Sequence, residues 1–142
     1  MFVYNYYMNI LFFLIPKGDV AFLYDDFTVR MALEKMEYHN YTQIPILNRE
    51  GDYVGNLTTG DLLWYLKDHN LNIYEVENQP ISKIIMQKPI ETIKIDAQMD
   101  DLLRLIINQN YVPVVDDRNK FIGIITRRRL ITYFTFAKNN QD

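Results

Sequence analysis

An internal repeat restricts the fold of this chain more than any other feature of its sequence. Val29, Ala32, Leu33 and Met36 have the i, i+3, i+4, i+7 spacing of one apolar helix face. The same spacing recurs 70 residues later, in Met99, Leu102, Leu103 and Ile106. Two strand-like segments recur at an offset of 68 residues, since residues 45–47 and 53–58 match residues 113–115 and 121–126. The pattern predicts two copies of one folding unit.

Each copy is predicted to run strand, helix, strand, turn, strand, helix. The first strand is expected at residues 20–24 in one copy and at residues 90–94 in the other, and Thr28 is the expected cap of the first helix. A unit of about 60 residues cannot bury its sheet alone, so the two sheets are expected to pack against each other with pseudo-two-fold symmetry in an α/β fold. The clefts between two such sheets are predicted to hold a small ligand.

The chain is divided into a strand or extension at residues 1–15, a first repeat at residues 16–76 and a second at residues 77–142. Residues 9–15 are rich in strand formers and end before Pro16 and Gly18, which predicts a strand. The run is too short to span a bilayer and lacks the pattern of a secretion signal. Either Met1 or Met8 could be the start of translation.

Composition excludes several classes of function. With 49% hydrophobic and 23% charged residues the chain can bury a core, and a net charge of −3 predicts no nucleic-acid or membrane partner. The chain has no cysteine, which fits a reducing compartment and predicts a cytoplasmic protein. His39 and His69, each expected near a helix end, lack metal-ligand spacing, and the only serine, Ser82, has no nucleophile context. We therefore expect neither an enzyme nor a metal site.

Two predicted helix starts carry polar residues that fit two interpretations each. Thr58 and Asp61 have the spacing of a capping box, but the carboxylate could instead accept hydrogen bonds from a vicinal diol. At residues 126–129 three arginines follow a threonine, and cations at a helix N-terminus oppose the helix dipole. Because such an unfavourable local choice is often functional, Arg127 and Arg128 are predicted to hold phosphates. The alternative is a solvated face whose arginines pair with acids such as Asp116 or Asp117.

The aromatic residues also leave alternatives. Trp64 is expected in the core or in a dimer contact rather than stacked on a ligand, and Tyr41 could stack on a base or close the end of a helix. Apolar faces on the helices at residues 61–68 and 127–136 predict self-association, with a homodimer as the expected state.

The repeated motifs resemble a known family. Residues 44–47 (Ile-Pro-Ile-Leu), Gly51 and residues 53–63 resemble the signature of the cystathionine-beta-synthase (CBS) domain, and residues 112–116 with 121–126 resemble it again. The chain is therefore similar to a stand-alone pair of CBS domains, or Bateman module, with two βαββα repeats. Residues 41–45, 110–113 and 126–128 are also similar to those of small bacterial CBS proteins that bind cyclic di-AMP.

The resemblance implies two ligand sites. The first would consist of Val20, Ala21, Tyr41, Thr42, Gln43, Ile44, Pro45, Thr58 and Asp61. The second would consist of Ile90, Glu91, Tyr111, Val112, Pro113, Thr126, Arg127, Arg128 and Arg129. Arg129 departs from the family pattern, because it occupies the position of the aspartate that binds ribose.

The resemblance further implies a non-enzymatic regulatory module whose ligand is an adenine nucleotide: AMP, ADP, ATP or cyclic di-AMP. Binding would change the conformation or the oligomeric state, which a regulated protein would read. No other cofactor is expected. The alternative is a structural interaction or dimerisation module without a ligand, and an enzyme that processes nucleotides comes third.

Overall fold

A computed structural model describes residues 8–84 and 89–140. The chain forms two compact units. The repeat-1 unit consists of Ala21–Pro89, and the repeat-2 unit combines the residues up to Val20 with the residues from Ile90 onward. The first repeat was predicted to begin at residue 16, whereas residues 16–20 group with the second repeat.

The helices and strands follow the repeated order expected from the sequence. The elements of the first part of the chain are β1 (Ile15–Pro16), β2 (Leu23–Tyr24), α1 (Val29–His39), β3 (Gln43–Leu47), β4 (Tyr53–Thr58) and α2 (Thr59–Asp68). Those of the second part are α3 (Ile73–Val76), α4 (Ile81–Ile84), β5 (Ile93–Lys94), α5 (Met99–Ile106), β6 (Tyr111–Val115), β7 (Phe121–Thr126) and α6 (Arg127–Asn140). In the described part of the chain, no helix has both the length and the apolar character that crossing a membrane requires.

Each unit has its own sheet, and the two sheets share one topology. In the repeat-1 unit the order is β2-β3-β4, with β2 parallel and β4 antiparallel to β3. In the repeat-2 unit β5, β6 and β7 are arranged in the same way, and β1 is added beside β7. Both β-hairpins contain a register shift at the same place, between Ile46 and Leu47 and between Val114 and Val115. The predicted α/β fold with two similar repeats is confirmed.

Each unit has a separate apolar core under its sheet. The helix stripes that revealed the repeat supply both cores: Val29, Ala32 and Met36 are buried in one, and Met99, Leu102 and Ile106 in the other. Thr28 caps α1 as predicted, because its hydroxyl oxygen accepts a hydrogen bond from the Met31 amide at 3.2 Å.

The two hairpin turns are built by equivalent side chains. The Asn48 Oδ1 atom accepts hydrogen bonds from the amides of Glu50 and Asp52, and the Asp116 Oδ1 atom accepts from those of Arg118 and Lys120. Such side-chain acceptors fix the turn and thereby the register of the flanking strands.

The prediction of a strand at residues 9–15 is wrong. Residues Ile10–Phe13 form a 3₁₀ helix that begins at Asn9, whose side-chain oxygen accepts a hydrogen bond from the Leu11 amide at 2.9 Å. In this conformation Ile10 and Phe13 lie on one face and are 0% and 1% exposed, because side chains three apart align in a 3₁₀ helix. Burial of these two side chains outweighs the strand preference of the individual residues.

The strand that follows, β1, docks on β7 where a glycine leaves room. Ile15 pairs with Ile124 and Pro16 pairs with Gly123. A Cβ atom at Gly123 would overlap the carbonyl oxygen of Ile15 and lie 2.8 Å from Leu14 Cδ1. The close approach of the N-terminal segment, defined here as residues 9–16, therefore depends on the missing side chain at position 123.

Candidate functional site

The helix start of the repeat-1 unit is a complete capping box. The Thr58 hydroxyl oxygen accepts a hydrogen bond from the Asp61 amide at 2.9 Å, and Asp61 Oδ2 accepts one from the Thr58 amide at 3.1 Å. Both interactions satisfy amides that α2 leaves free at its N-terminus. The capping interpretation of Thr58 and Asp61 is thus confirmed, and one carboxylate oxygen is committed to it.

The equivalent helix start in the repeat-2 unit has only half of this arrangement. Thr126 Oγ1 accepts a hydrogen bond from the Arg129 amide at 3.1 Å, but position 129 has no carboxylate to return the interaction. The first turn of α6 contains no acidic residue. Three arginines, at positions 127–129, therefore occupy the first turn of α6, where the helix dipole favours a negative charge.

Arg127 is engaged with the neighbouring helix. Its Nε atom donates to the carbonyl oxygen of Ile106 at 2.9 Å, and Nη2 donates to that of Ile107 at 3.1 Å. These carbonyls lie at the C-terminus of α5, where a cation is favoured by the dipole. Arg127 therefore caps α5 and ties it to the start of α6.

We expect Arg127→Ala to lower the free energy of unfolding by roughly 1 to 2 kcal/mol, because two helix-end carbonyls lose a charged donor. Arg128→Ala is the matched control, since Arg128 is exposed and no hydrogen bond of its side chain occurs among the described residues; its effect should stay within about 0.5 kcal/mol. Equilibrium urea unfolding of both variants measures the difference. Equal losses in the two variants would contradict the capping role.

Arg128 and Arg129 line a cavity of about 560 Å³ together with Thr126 and Thr132. Both guanidinium groups belong to exposed residues. Among the residues that the structure describes, no ion pair involves residues 127–129. The exposure of Arg128 and Arg129 agrees with the alternative of a solvated basic face, but no ion pair with Asp116 or Asp117 occurs among the described residues.

Aromatic rings also line this cavity, and they are called its aromatic wall here, while Arg128 and Arg129 are called its arginine wall. Phe12, Phe13 and Tyr133 line it along with Ile15. The Tyr133 ring meets the rings of Phe12 and Phe13 edge to face, with centroids 5.3 and 5.2 Å apart. Sequence reasoning missed this wall because it placed residues 9–15 in a strand of no assigned function. The available signal was Tyr133, which is the repeat equivalent of Tyr65.

The predicted site segments that precede Pro45 and Pro113 lie beside the two helix starts. Gln43 is paired with Thr58, and Tyr111 is paired with Thr126. The Thr59 amide donates to the carbonyl oxygen of Thr42 at 3.0 Å, and an equivalent bond joins residue 127 to residue 110 at 2.9 Å. Each repeat thus places the predicted segment next to its threonine cap.

Several other predicted site residues are part of the cores. Ala21 and Ile44 are buried in the repeat-1 core, and Val112 is buried in the repeat-2 core. The prolines at 45 and 113 are also buried, as is Tyr111, whereas Val20 is half-buried. Side chains buried in this way serve packing, so only their backbone groups remain for ligand contact. In the second predicted site, the Glu91 amide donates to the side chain of Gln109 at 3.1 Å.

Two aromatic residues with open assignments lie on the surface. The Tyr41 ring stacks on His39 with centroids 5.4 Å apart, and its amide donates to the Met36 carbonyl at 2.8 Å, which supports the helix-closing interpretation. Trp64 is 58% exposed and has the Lys67 ammonium group 5.5 Å from its ring centroid, so it is not a core residue.

His69 closes α2 through a hydrogen bond to the carbonyl of Tyr65 at 3.0 Å. Within residues 8–84 and 89–140 no three potential metal ligands cluster.

Two α/β units of one topology define a protein built from two copies of one fold. The profile of the CBS domain matches residues 15–68 and 81–135. The chain belongs to the CBS domain family, and its two repeats form a CBS pair.

Solved structures share this fold over almost the whole chain. A crystal structure of CbpB in complex with c-di-AMP is 24% identical, covers 98% of this chain and 92% of its own, and has a TM-score of 0.88. CbpB from Streptococcus agalactiae is 25% identical, covers 94% and 84%, and has a TM-score of 0.81.

A sequence relative is longer than this chain. An uncharacterised protein of Methanocaldococcus jannaschii is 26% identical in an alignment 125 residues long that covers 79% of this chain and 44% of the relative. The chain spans less than half the length of the first curated relatives that it matches.

Proposed function

We propose that this CBS pair is a non-enzymatic regulatory module that binds an adenine nucleotide. The observation that carries the proposal is the cavity at the start of α6, which Arg128, Arg129 and the aromatic wall line together. Its volume of about 560 Å³ lies within the usual range for sites of small ligands. CbpB, which has the same fold, is a c-di-AMP complex in one crystal structure.

The chemistry of the cavity fits the two parts of a nucleotide. Guanidinium groups bind phosphate oxygens through paired N–H donors, and a helix N-terminus adds a favourable dipole. Aromatic rings offer a surface on which a purine base stacks. Since Arg127 is engaged with α5, the phosphate contacts are assigned to Arg128, Arg129 and the Thr126 hydroxyl. For Asp61 in the other repeat we retain the proposal of a ribose contact through its second carboxylate oxygen.

Binding would regulate by shifting a conformational or oligomeric equilibrium, to the extent that the ligand prefers one state. A homodimer is proposed because α2 and α6 expose large apolar side chains. These are Leu63, Trp64, Ile131 and Phe136, which are 58–62% exposed.

Titration calorimetry of the full chain with AMP, ADP, ATP and cyclic di-AMP tests the proposal. At least one nucleotide should bind, and about 100-fold excess over its Kd should stabilise the fold by about 2.7 kcal/mol. The double variant Arg128→Ala, Arg129→Ala should weaken binding at least ~10-fold, since each guanidinium contributes charge-assisted hydrogen bonds. Arg118→Ala, in the hairpin turn, is the control and should bind normally. No heat and no thermal shift with any nucleotide would favour the structural interaction module instead.

A further inference from the structure

The N-terminal segment docks on the rest of the repeat-2 unit through a short strand and through apolar side chains. Its strand β1 has only two residues, and one of them, Pro16, has no amide to donate. Ile10 and Phe13 anchor the segment through their buried side chains. Leu14 packs against the same core, and the rings of Phe12 and Phe13 contact Tyr133, so apolar packing holds the segment in place.

The same segment supplies part of the aromatic wall of the cavity at the start of α6. Phe12 is 60% exposed, and its ring lies edge to face with Phe13 and Tyr133 at 5.1 and 5.3 Å. The arginine wall, with Arg128 and Arg129, belongs to α6 at the other end of the chain, as does Tyr133 of the aromatic wall. A ligand with both a base and phosphates would contact both walls at once.

We propose that Phe12 is a base-stacking residue and that a nucleotide bound in this cavity and the docked N-terminal segment stabilise each other. The inference rests on the proposed function and identifies the N-terminal segment as the element whose position responds to the ligand. A ligand that touches both walls binds the docked state more tightly than the undocked state, so it must shift the segment toward docking. A phosphate compound without a base touches only the arginine wall and should not produce this shift.

Amide hydrogen exchange of the full chain distinguishes the two kinds of ligand. Saturating cyclic di-AMP is expected to slow exchange in residues 9–15 about 10-fold, whereas saturating inorganic pyrophosphate should protect only the start of α6. Phe12→Ala should weaken cyclic di-AMP binding about 10-fold and leave pyrophosphate binding unchanged, since stacking on a base is lost. Phe12→Leu, which keeps the apolar bulk and guards against unfolding, should show the same preference. Leu11→Ala, an exposed neighbour that does not line the cavity, is the control.

The outcomes separate this inference from the proposed function. If cyclic di-AMP binds through Arg128 and Arg129, but exchange in residues 9–15 and the affinity of the Phe12 variants do not change, the inference is overturned and nucleotide binding stands. If none of AMP, ADP, ATP and cyclic di-AMP binds the wild-type chain, both are overturned.

Discussion

Gly123→Ala should lower the free energy of unfolding by about 3 kcal/mol or more, which is a large fraction of the stability of a domain of this size. The added Cβ would overlap the Ile15 carbonyl oxygen, and backbone cannot yield as a flexible side chain can. Gly123 also has a φ of 157°, which residues with a side chain rarely adopt. Relief of the overlap must separate β1 from β7 and expose Ile10 and Phe13, whose burial contributes about 1.5 to 3 kcal/mol each.

Urea unfolding measures this loss, and Gly18→Ala is its control. A Cβ at Gly18 would have no neighbour within 4 Å, so that variant should change stability by less than about 1 kcal/mol. In Gly123→Ala, amide exchange should also become fast in residues 9–15 while α5 stays protected. A variant as stable as wild type would mean that the segment is not docked on β7.

The repeats could be predicted because local patterns encode them. Apolar side chains spaced at i, i+3, i+4 and i+7 must lie on one helix face, and the two copies of this pattern bury their residues in equivalent places. A turn between the second and third strands of each copy was also predicted, and in the structure the side chains of Asn48 and Asp116 hydrogen-bond the backbone of these turns. Even the register shift recurs, although nothing in the composition of the strands indicated it.

The site was only partly predictable, because its decisive contacts join distant segments. Three consecutive arginines look equivalent in sequence, yet Arg127 alone reaches the end of α5. The partner of residues 9–16 is a strand more than a hundred residues later, and local strand preference cannot reveal such pairing. Thr126, Arg128 and Arg129 line one cavity because a cap and its first helical turn are local structure.

Arg129→Asp is expected to separate stability from binding by moving them in opposite directions. The repeat-1 unit shows what aspartate does at this position, since Asp61 Oδ2 accepts a hydrogen bond from the Thr58 amide. A carboxylate at position 129 should accept a hydrogen bond from the Thr126 amide and so complete a capping box. The helix dipole also favours its negative charge, so the free energy of unfolding should rise by about 0.5 to 1 kcal/mol. In the cavity, however, a phosphate would face a carboxylate in place of a guanidinium, and nucleotide affinity should fall roughly 100-fold.

Arg118→Asp provides the matched control, because it makes the same change in net charge at an exposed turn outside the cavity. It should leave stability and affinity nearly unchanged at moderate salt, where distant surface charges are screened. Thermal unfolding without ligand and calorimetry with cyclic di-AMP measure the two effects in Arg129→Asp separately. A variant that is both more stable and unable to bind would show that the arginine weakens the helix start in return for phosphate recognition. Undiminished affinity in that variant would remove Arg129 from the site.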